Sequence, residues 1–222
     1  MPRTDEVKAA RPPGGLRERK KQRTRELIAG AALELFLERG FDAVTIADIA
    51  RRADVDVKTI YNYFDSKADL FYHRLEELQE SLLAAIRERE EGESVLAAFS
   101  RFLMASQGYL GDESATARLR GVTEMIVGSA TLLAYEDRVY AGFALALADL
   151  LAKETGAKPG DAEPAVVAYA LIGLHRSLVA YVRAGTLAGT PNASLARGVR
   201  AQTKKALARL EQGLGNYGIV AG

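Results

Sequence analysis

The feature that most constrains the fold of this chain is a long stretch without proline. Three of its six prolines lie within the first thirteen residues, and none occurs between residues 14 and 158. Proline ends or kinks a helix, whereas this stretch is rich in Ala, Leu, Glu and Arg, which favour helix. No sustained alternation of polar and apolar residues points to strands. The sequence therefore predicts an all-α protein.

Capping signals and apolar spacing predict where the helices begin and end. The first helix spans about 17–39 and ends at Gly40, and Thr45 begins a short second helix as its N-cap, with Asp48 in the reciprocal position. A third helix runs from Val57 to about Phe64, and the Ser66 segment caps a fourth. Glycine-rich breaks place the later helices near 67–91, 93–110, 114–128, 131–155, 162–184 and 193–213.

Charge is distributed unevenly along the chain. The 222 residues carry a net charge of +1, yet residues 1–25 hold nine lysines or arginines and three acids. A basic end on a neutral body indicates a local contact with a polyanion, although such an arm can also serve only as a solubilising tail. Both alternatives stay open for this segment.

Several other classes of protein are not favoured by the composition. The chain has no cysteine, which excludes disulfides and thiolate sites, and its start has no apolar run of the signal-peptide kind. The longest apolar run, 165–174, is well short of the roughly 20 residues of a membrane helix. These observations favour a cytoplasmic protein that does not enter a membrane.

The short second and third helices, joined by a brief turn, match the helix-turn-helix arrangement, in which the latter helix enters the DNA major groove. Spacing along the third helix predicts that Val57, Ile60 and Phe64 face inward. The other side then presents Lys58, Thr59 and Asn62, whose side chains can contact base edges. Tyr61 and Tyr63 flank that face, where a phenol can donate to phosphate. The sequence therefore predicts binding to double-stranded DNA.

The segment "LIAGAALELFLERGFDAVTIADIARRADVDVKTIYNYFDSKADLF" resembles the tetracycline-repressor-like (TetR) family of transcriptional regulators. The resemblance runs from about Arg23 to Leu75 and lies in Gly-Phe, Ile-Ala, the Thr-Ile-Tyr-x-Tyr-Phe recognition helix and Ser-Lys-x-x-Leu. It implies that Thr45 faces phosphate at a helix N-terminus and that Lys67 reaches phosphate. It also implies the groove and backbone contacts given above for the third helix. For Arg51 and Arg52, two roles stay open: a contact with phosphate, or a place on the solvated surface of the helix.

One turn departs from that family. Relatives usually have Gly-Val-Ser there, whereas this chain has Asp54-Val55-Asp56. Asp tolerates the left-handed conformation of a turn glycine, and Asp56 is a suitable N-cap. Because its charge would repel phosphate, we expect no phosphate contact from Asp56.

The predicted fold is an N-terminal three-helix helix-turn-helix domain followed by a helical ligand-binding and dimerisation domain. We expect a flexible basic arm over 1–16, the DNA-binding domain over 17–65, the second domain over 66–215 and a tail over 216–222. Residues 165–182 are apolar nearly all round and so need cover on two sides. The resemblance implies a homodimer whose interface is formed by the last two helices, and a buried core helix is the alternative.

The resemblance further implies a site for a small-molecule effector. The apolar surroundings of the site suggest that this effector is lipophilic. No cofactor is expected. The candidate lining of the site combines polar groups in apolar helices with apolar side chains. The polar groups are Gln107, Tyr109, Arg120, Glu124, Tyr140, Tyr169 and His175, and the apolar side chains are Phe102, Met125 and Phe143. Arg120 and Glu124 could instead pair with each other. A repressor released by such an effector is the leading prediction. A ligand-independent dimeric DNA-binding protein is the alternative. A helical binding protein or an enzyme is less favoured, because the residues form no catalytic constellation or metal-ligand set.

Overall fold

The computed structural model describes residues 15–106, 116–214 and 218. Within these residues the chain is helical and has no strand, as predicted. The predicted basic arm and the candidate ligand residues Gln107 and Tyr109 lie outside or almost wholly outside the described residues. The helices are α1 (Leu16–Arg39), α2 (Ile46–Arg52), α3 (Val57–Tyr61), α4 (Lys67–Arg87), α5 (Val95–Ser106), α6 (Thr116–Gly128), α7 (Ala130–Thr155), α8 (Glu163–Leu187) and α9 (Asn192–Leu214).

The first helices enclose an apolar core of their own. Ile28 and Phe36 of α1 pack with Ile49 of α2, Ile60 of α3 and Phe64, which follows α3, and all five are fully or almost fully buried. α1 ends at Gly40, whose φ of 82° is a conformation that residues with a Cβ rarely adopt. This core holds α2 and α3 rigidly against α1.

A second core lies among the longer helices. α7 packs along α8 and α4, and α9 packs along α8 and α5. The interior is made of side chains that are almost wholly buried, among them Phe99, Phe143, Leu147, Leu151 and Leu171. Each such side chain contributes roughly 1.5–3 kcal/mol of transfer free energy on burial.

Helix α4 belongs to both cores. Its N-terminal part places Leu70 and Tyr72 in the first core, and its C-terminal part places Leu82 and Ile86 in the second. Leu75 packs against both. The predicted domain boundary at 65/66 stays a prediction, since α4 joins the two cores without a linker between them.

Helix α8 is covered on only one side by the described chain. Its inner side buries residues such as Leu171 and Ile172, whereas Val166 is 63% exposed and Tyr169 is 53% exposed. By length and mean hydropathy α8 could cross a membrane. Core helices of soluble proteins also pass that test, and α8 packs against α6, α7 and α9 on its inner side.

Candidate nucleic-acid interface and ligand cavity

A reciprocal cap fixes the start of α2. The hydroxyl of Thr45 accepts from the Asp48 amide at 3.1 Å, and the Asp48 carboxylate accepts from the Thr45 amide at 2.9 Å. The bond from the Thr45 backbone, followed by that from its hydroxyl, lowers the pKa of Asp48. This capping box was predicted and is confirmed. The predicted phosphate contact of Thr45 stays a prediction.

The turn between α2 and α3 is built around two acids. Asp54 has a φ of 54°, so the predicted left-handed conformation is confirmed. Asp56 occupies the N-cap position of α3, as predicted, although its carboxylate makes no capping hydrogen bond. Both side chains are exposed. They add negative charge to this edge of the motif.

Helix α3 presents a polar and aromatic face above the first core. Lys58 and Asn62 are exposed, and Tyr61 is 54% exposed. Thr59 and Tyr63 are half-buried, with the Tyr63 ring packed against the core. The structure thus brings together the five side chains predicted for groove and backbone contacts.

Two expectations for α3 are wrong. The helix ends at Tyr61 rather than near Phe64, because Asn62 already caps it and Phe64 reaches the core from the turn that follows. Val57 was expected to face inward and is 41% exposed. As the first residue of a helix of five residues, it lies beside the α2–α3 turn, and Ile60 alone supplies the buried contact of α3.

Lys67 makes its hydrogen bonds within the chain, and the phosphate contact predicted for it stays a prediction. Its ammonium donates to the carbonyl oxygens of Phe41 at 2.8 Å, Val44 at 3.0 Å and Asp42 at 3.4 Å. It also lies 4.4 Å from the centre of the Phe41 ring. Partial burial lowers its pKa. An ammonium has three donors, so these carbonyls occupy the group that was expected to meet phosphate.

Two arginines of α2, Arg51 and Arg52, take part in ion pairs. Arg52 donates to Glu38 at 2.7 Å and also reaches Glu34, and these contacts raise its pKa. Arg51 pairs with Asp48 but its side chain is 73% exposed. The solvated-surface alternative therefore fits Arg52, whereas Arg51 retains an accessible guanidinium.

A cavity of about 550 Å³ lies among helices α4 to α9. Its walls are mainly aliphatic, from residues such as Leu75, Leu103, Leu178 and Val182. Of the predicted ligand residues, Tyr140 and His175 line it, with ring centroids 5.8 Å apart. Its size is within the range of small-molecule sites.

The structure places the other described candidates elsewhere. Phe102 and Phe143 pack in the second core and Met125 against the first. Arg120 and Glu124 are half exposed and pair with each other at 2.8 Å, one turn apart on α6. Tyr169 lies on the exposed side of α8. Arg120, Glu124 and Tyr169 therefore do not line this cavity, and their ligand contacts stay predictions.

The cavity contains a buried ion pair that sequence reasoning missed. Arg183 donates to Glu136 through both terminal nitrogens, one of them at 2.7 Å. Glu136 is almost fully buried. Tyr72 lies beside it, and burial followed by the Glu136 charge raises the pKa of its phenol. The two residues lie 47 positions apart, so the sequence alone gives no sign that they pair.

Comparison with known proteins agrees with this architecture. A family model described as bacterial regulatory proteins of the tetR family matches residues 28–73, and one for the MftR C-terminal domain matches residues 93–214. A Mycobacterium tuberculosis relative named as the mycofactocin biosynthesis transcriptional regulator MftR is 32% identical over 163 residues. The match spans 70% of this chain and 78% of that protein.

The chain belongs to the TetR family of transcriptional regulators.

Another relative is similar over part of the chain, and two solved structures share its fold. TcmR of Streptomyces glaucescens, named as a helix-turn-helix regulator, is 37% identical over 98 residues, which span 44% of this chain and 43% of TcmR. The solved SmeT–triclosan complex shares the fold, with a TM-score of 0.56 and 20% identity over 85% of this chain and 91% of SmeT. A TetR-family regulator from Streptomyces coelicolor gives a TM-score of 0.51 and 24% identity over 90% and 98% of the two chains.

Proposed function

We propose that this TetR-family regulator is a homodimeric repressor that binds a pseudopalindromic operator and is released by a small lipophilic ligand. The observation that carries the proposal is the outer face of α3, where Lys58, Tyr61 and Asn62 are exposed above a rigid core. No charged side chain of α3 other than Lys58 lies on this face. We place the protein with its DNA in the cytoplasm.

In the proposed docking, α3 enters the major groove. Lys58 and Asn62 meet base edges, and Thr59 bonds a base or packs on a thymine methyl group. Tyr61 and Tyr63 donate to phosphate oxygens, as does the N-terminal end of α2 at Thr45. Asp54 and Asp56 are exposed at the neighbouring turn, and their charges disfavour phosphate there.

The proposed dimer uses the exposed side of α8 together with α9. A two-fold dimer presents its recognition helices about 34 Å apart, which matches successive major grooves on one side of the duplex. Val166 and Tyr169 are large apolar side chains left exposed on α8, and Tyr181 is 38% exposed on the same helix. Helices from two copies that cover these side chains form a four-helix interface.

The proposed release mechanism depends on α4. Tyr72, Leu75 and Leu78 of α4 line the cavity, and the same helix begins at Lys67, close after α3. A ligand that binds better when α4 is displaced favours dimers whose α3 helices no longer match the operator. The loss of operator affinity then equals the differential affinity of the ligand for the two states.

Operator binding by purified protein tests the DNA part of this function. We expect specific binding to DNA from upstream of the gene for this protein, measured by fluorescence anisotropy. Asn62→Ala should cost roughly 1–3 kcal/mol on that site, because one base contact is lost, and little on unrelated DNA. Equal loss on both DNAs, or no loss on either, would contradict the proposed docking.

A further inference from the structure

A second cavity, of about 370 Å³, lies between α1, α4 and α6. We call it the junction cavity, because α1 belongs to the helix-turn-helix core whereas α6 packs along the longer helices α7 and α8. It adjoins the cavity of about 550 Å³ that we assign to the effector, with which it shares Tyr72, Arg74, Leu75 and Val122. A molecule in the junction cavity would contact helices of both parts of the protein.

The junction cavity lies beside a close contact between α1 and α6. A Cβ on Gly121 of α6 would lie 2.8 Å from Cδ2 of Leu37, so a larger residue there would have to displace that side chain. Leu33, one turn before Leu37 on α1, faces the cavity, as do Leu119 and Val122 on either side of Gly121. The contact at Gly121 therefore sets the distance between two walls of the cavity.

The wall of the junction cavity is mainly apolar. Leu33, Phe71, Leu119 and Val122 face it and are only partly buried by the chain itself, and Ile126 completes this side. Burying the apolar surface of a ligand against such side chains contributes about 25 cal/mol per Å². The volume is at the lower end of the range for small-molecule sites. The wall thus favours a ligand with a short hydrocarbon body.

Two uncharged polar groups in the lining already have partners. The hydroxyl of Tyr72 donates to the carbonyl oxygen of Leu132 at 3.2 Å, and Nδ1 of His73 lies 3.1 Å from the carbonyl oxygen of Leu70. These contacts hold the two side chains within the protein. The polar recognition of a ligand therefore falls to the charged members of the lining.

Those charged members are two arginines, Arg74 of α4 and Arg118 of α6. Both are exposed, and neither forms an ion pair or a side-chain hydrogen bond with any residue that the structure describes. Arg120, two positions along α6, differs because it pairs with Glu124.

The acids close to these arginines are bound elsewhere. Glu26 and Glu77 line the adjoining groove together with Arg74 and Arg118, and both accept from the amide of Gln22, at 3.2 and 3.1 Å. Two guanidinium groups beside an apolar wall thus remain available to an anion, and their planar geometry suits a carboxylate.

We infer that the junction cavity binds an amphipathic monocarboxylate, whose head group pairs with Arg74 and Arg118 and whose short hydrocarbon body packs against the apolar wall between α1 and α6. The site is distinct from the effector cavity, and the inference does not depend on repression by this protein.

Three probes with the same hydrocarbon chain and different head groups test the inference: octanoate, 1-octanol and octylammonium. Binding is followed by calorimetric titration and by the rise in melting temperature of the full-length protein, since a ligand of the folded state stabilises it by mass action. We expect octanoate to bind most tightly and octylammonium most weakly, because the arginines attract the first and repel the second. Added salt should weaken octanoate and leave 1-octanol unchanged.

Variants that touch only one of the two cavities locate the bound octanoate. Arg118 lines the junction cavity and not the effector cavity. Arg118→Gln should weaken octanoate roughly threefold to fivefold, the value of one exposed ion pair. Arg87→Gln, at the exposed end of α4 and outside both cavities, is the matched control and should change nothing.

Leu33→Phe, which fills the junction cavity from α1, should weaken octanoate strongly. Leu27→Phe, at a side chain of the same helix that is 51% exposed, is its control. If Leu33→Phe does not fold, Arg118→Gln still decides the question, because Arg118 is exposed and makes no contact that the fold requires.

Other results would overturn the inference. Octanoate binding that is lost in Val182→Phe, which fills only the effector cavity, and kept in Leu33→Phe and Arg118→Gln would place the ligand in the effector cavity. Tighter binding of 1-octanol or octylammonium, or no binding of any probe, would also refute it. Operator affinity is measured apart from these titrations, so the site can stand where the proposed function fails.

Discussion

The ammonium of Lys67, at the start of α4, donates to the carbonyl oxygen of Phe41 at 2.8 Å. With the bonds to Val44 and Asp42, this contact joins the N-terminus of α4 to the loop between α1 and α2. The loop leads directly into Thr45 and the α2 cap. Lys67 thus helps to fix the position of the helix-turn-helix by holding the loop before α2 against the start of α4.

Lys67→Met should therefore act on folding. The methionine keeps packing over the Phe41 ring but leaves three carbonyls without their donor, so we expect a loss of about 1–3 kcal/mol in the free energy of unfolding. Urea unfolding measures it. The slope of log affinity for operator against log salt concentration should not change, since no phosphate contact is removed. A flatter slope without loss of stability would restore the phosphate role.

Lys58→Ala should have the opposite effects, because it should change DNA binding and leave folding stability unchanged. Lys58 is exposed on α3 and no intramolecular ion pair involving it is present in the described part of the chain. We expect unchanged stability and weaker operator binding, with a salt slope smaller by about one if its ammonium also neutralises a phosphate. Lys153→Ala, at the exposed end of α7, is the matched control and should leave binding unchanged. Equal effects of the two variants would argue against α3 as the DNA-contacting helix.

Tyr169→Glu should separate the proposed dimer into monomers. The substitution places a charge on the exposed apolar side of α8, where a partner helix would have to desolvate it. Sedimentation velocity should show a shift to the monomer mass, with loss of operator affinity. Leu27→Glu, at an apolar side chain of α1 that is 51% exposed, is the control and should leave the mass unchanged. A dimer that survives Tyr169→Glu would place the interface elsewhere.

Glu76 should make stability depend on pH. Burial, and then the neighbouring Asp69 carboxyl, raise the pKa of Glu76 to about 7 from its ordinary 4.5, although Arg25 of α1 pairs with it. Tyr135 of α7 faces the same group. Between these pH values the folded chain holds a proton that the unfolded chain has released, so rising pH favours unfolding.

The comparison of the original chain with Glu76→Gln isolates this effect. The stability of the original chain relative to that of Glu76→Gln should fall as pH rises from about 4.5 to about 7 and then level off. Urea unfolding across this range measures it, with Glu91→Gln at an exposed site as control. The lowered pKa of His175 gives a dependence of the opposite sign, but it is common to both chains. A pH-independent difference would contradict the raised pKa.

Features set by neighbouring residues were predictable from the sequence. The cap of Thr45 by Asp48 spans three positions, and the burial of Ile28 and Phe36 follows from their spacing on one helix. The bonds of Lys67 were not predictable in this way, because their acceptors lie 23–26 positions earlier in a loop. The end of α3 was placed too late because periodicity continued through Phe64, which packs from outside the helix.

The ligand cavity was the least predictable part. Tyr140 and His175 were found because each is a polar group on an apolar helix. Glu136 and Arg183 resemble ordinary surface charges until α7 and α8 pack together and bury them. Tyr169 was expected beside the ligand but lies on the exposed side of α8. The sequence of an apolar helix does not indicate which of its sides the rest of the chain covers. Side chains on separate helices meet only once the packing is known.

Because α4 belongs to both cores, a tilt of this helix displaces residues in both of them. A helix of 21 residues is about 32 Å long, so a tilt of about 5° at one end moves the other by about 3 Å. That displacement is comparable to the length of a hydrogen bond. In the proposed release mechanism, a ligand at the cavity, where Tyr72, Leu75 and Leu78 of α4 line the wall, needs to tilt α4 only slightly to break contacts between α3 and the bases, and in a symmetric dimer both half-sites would lose register together.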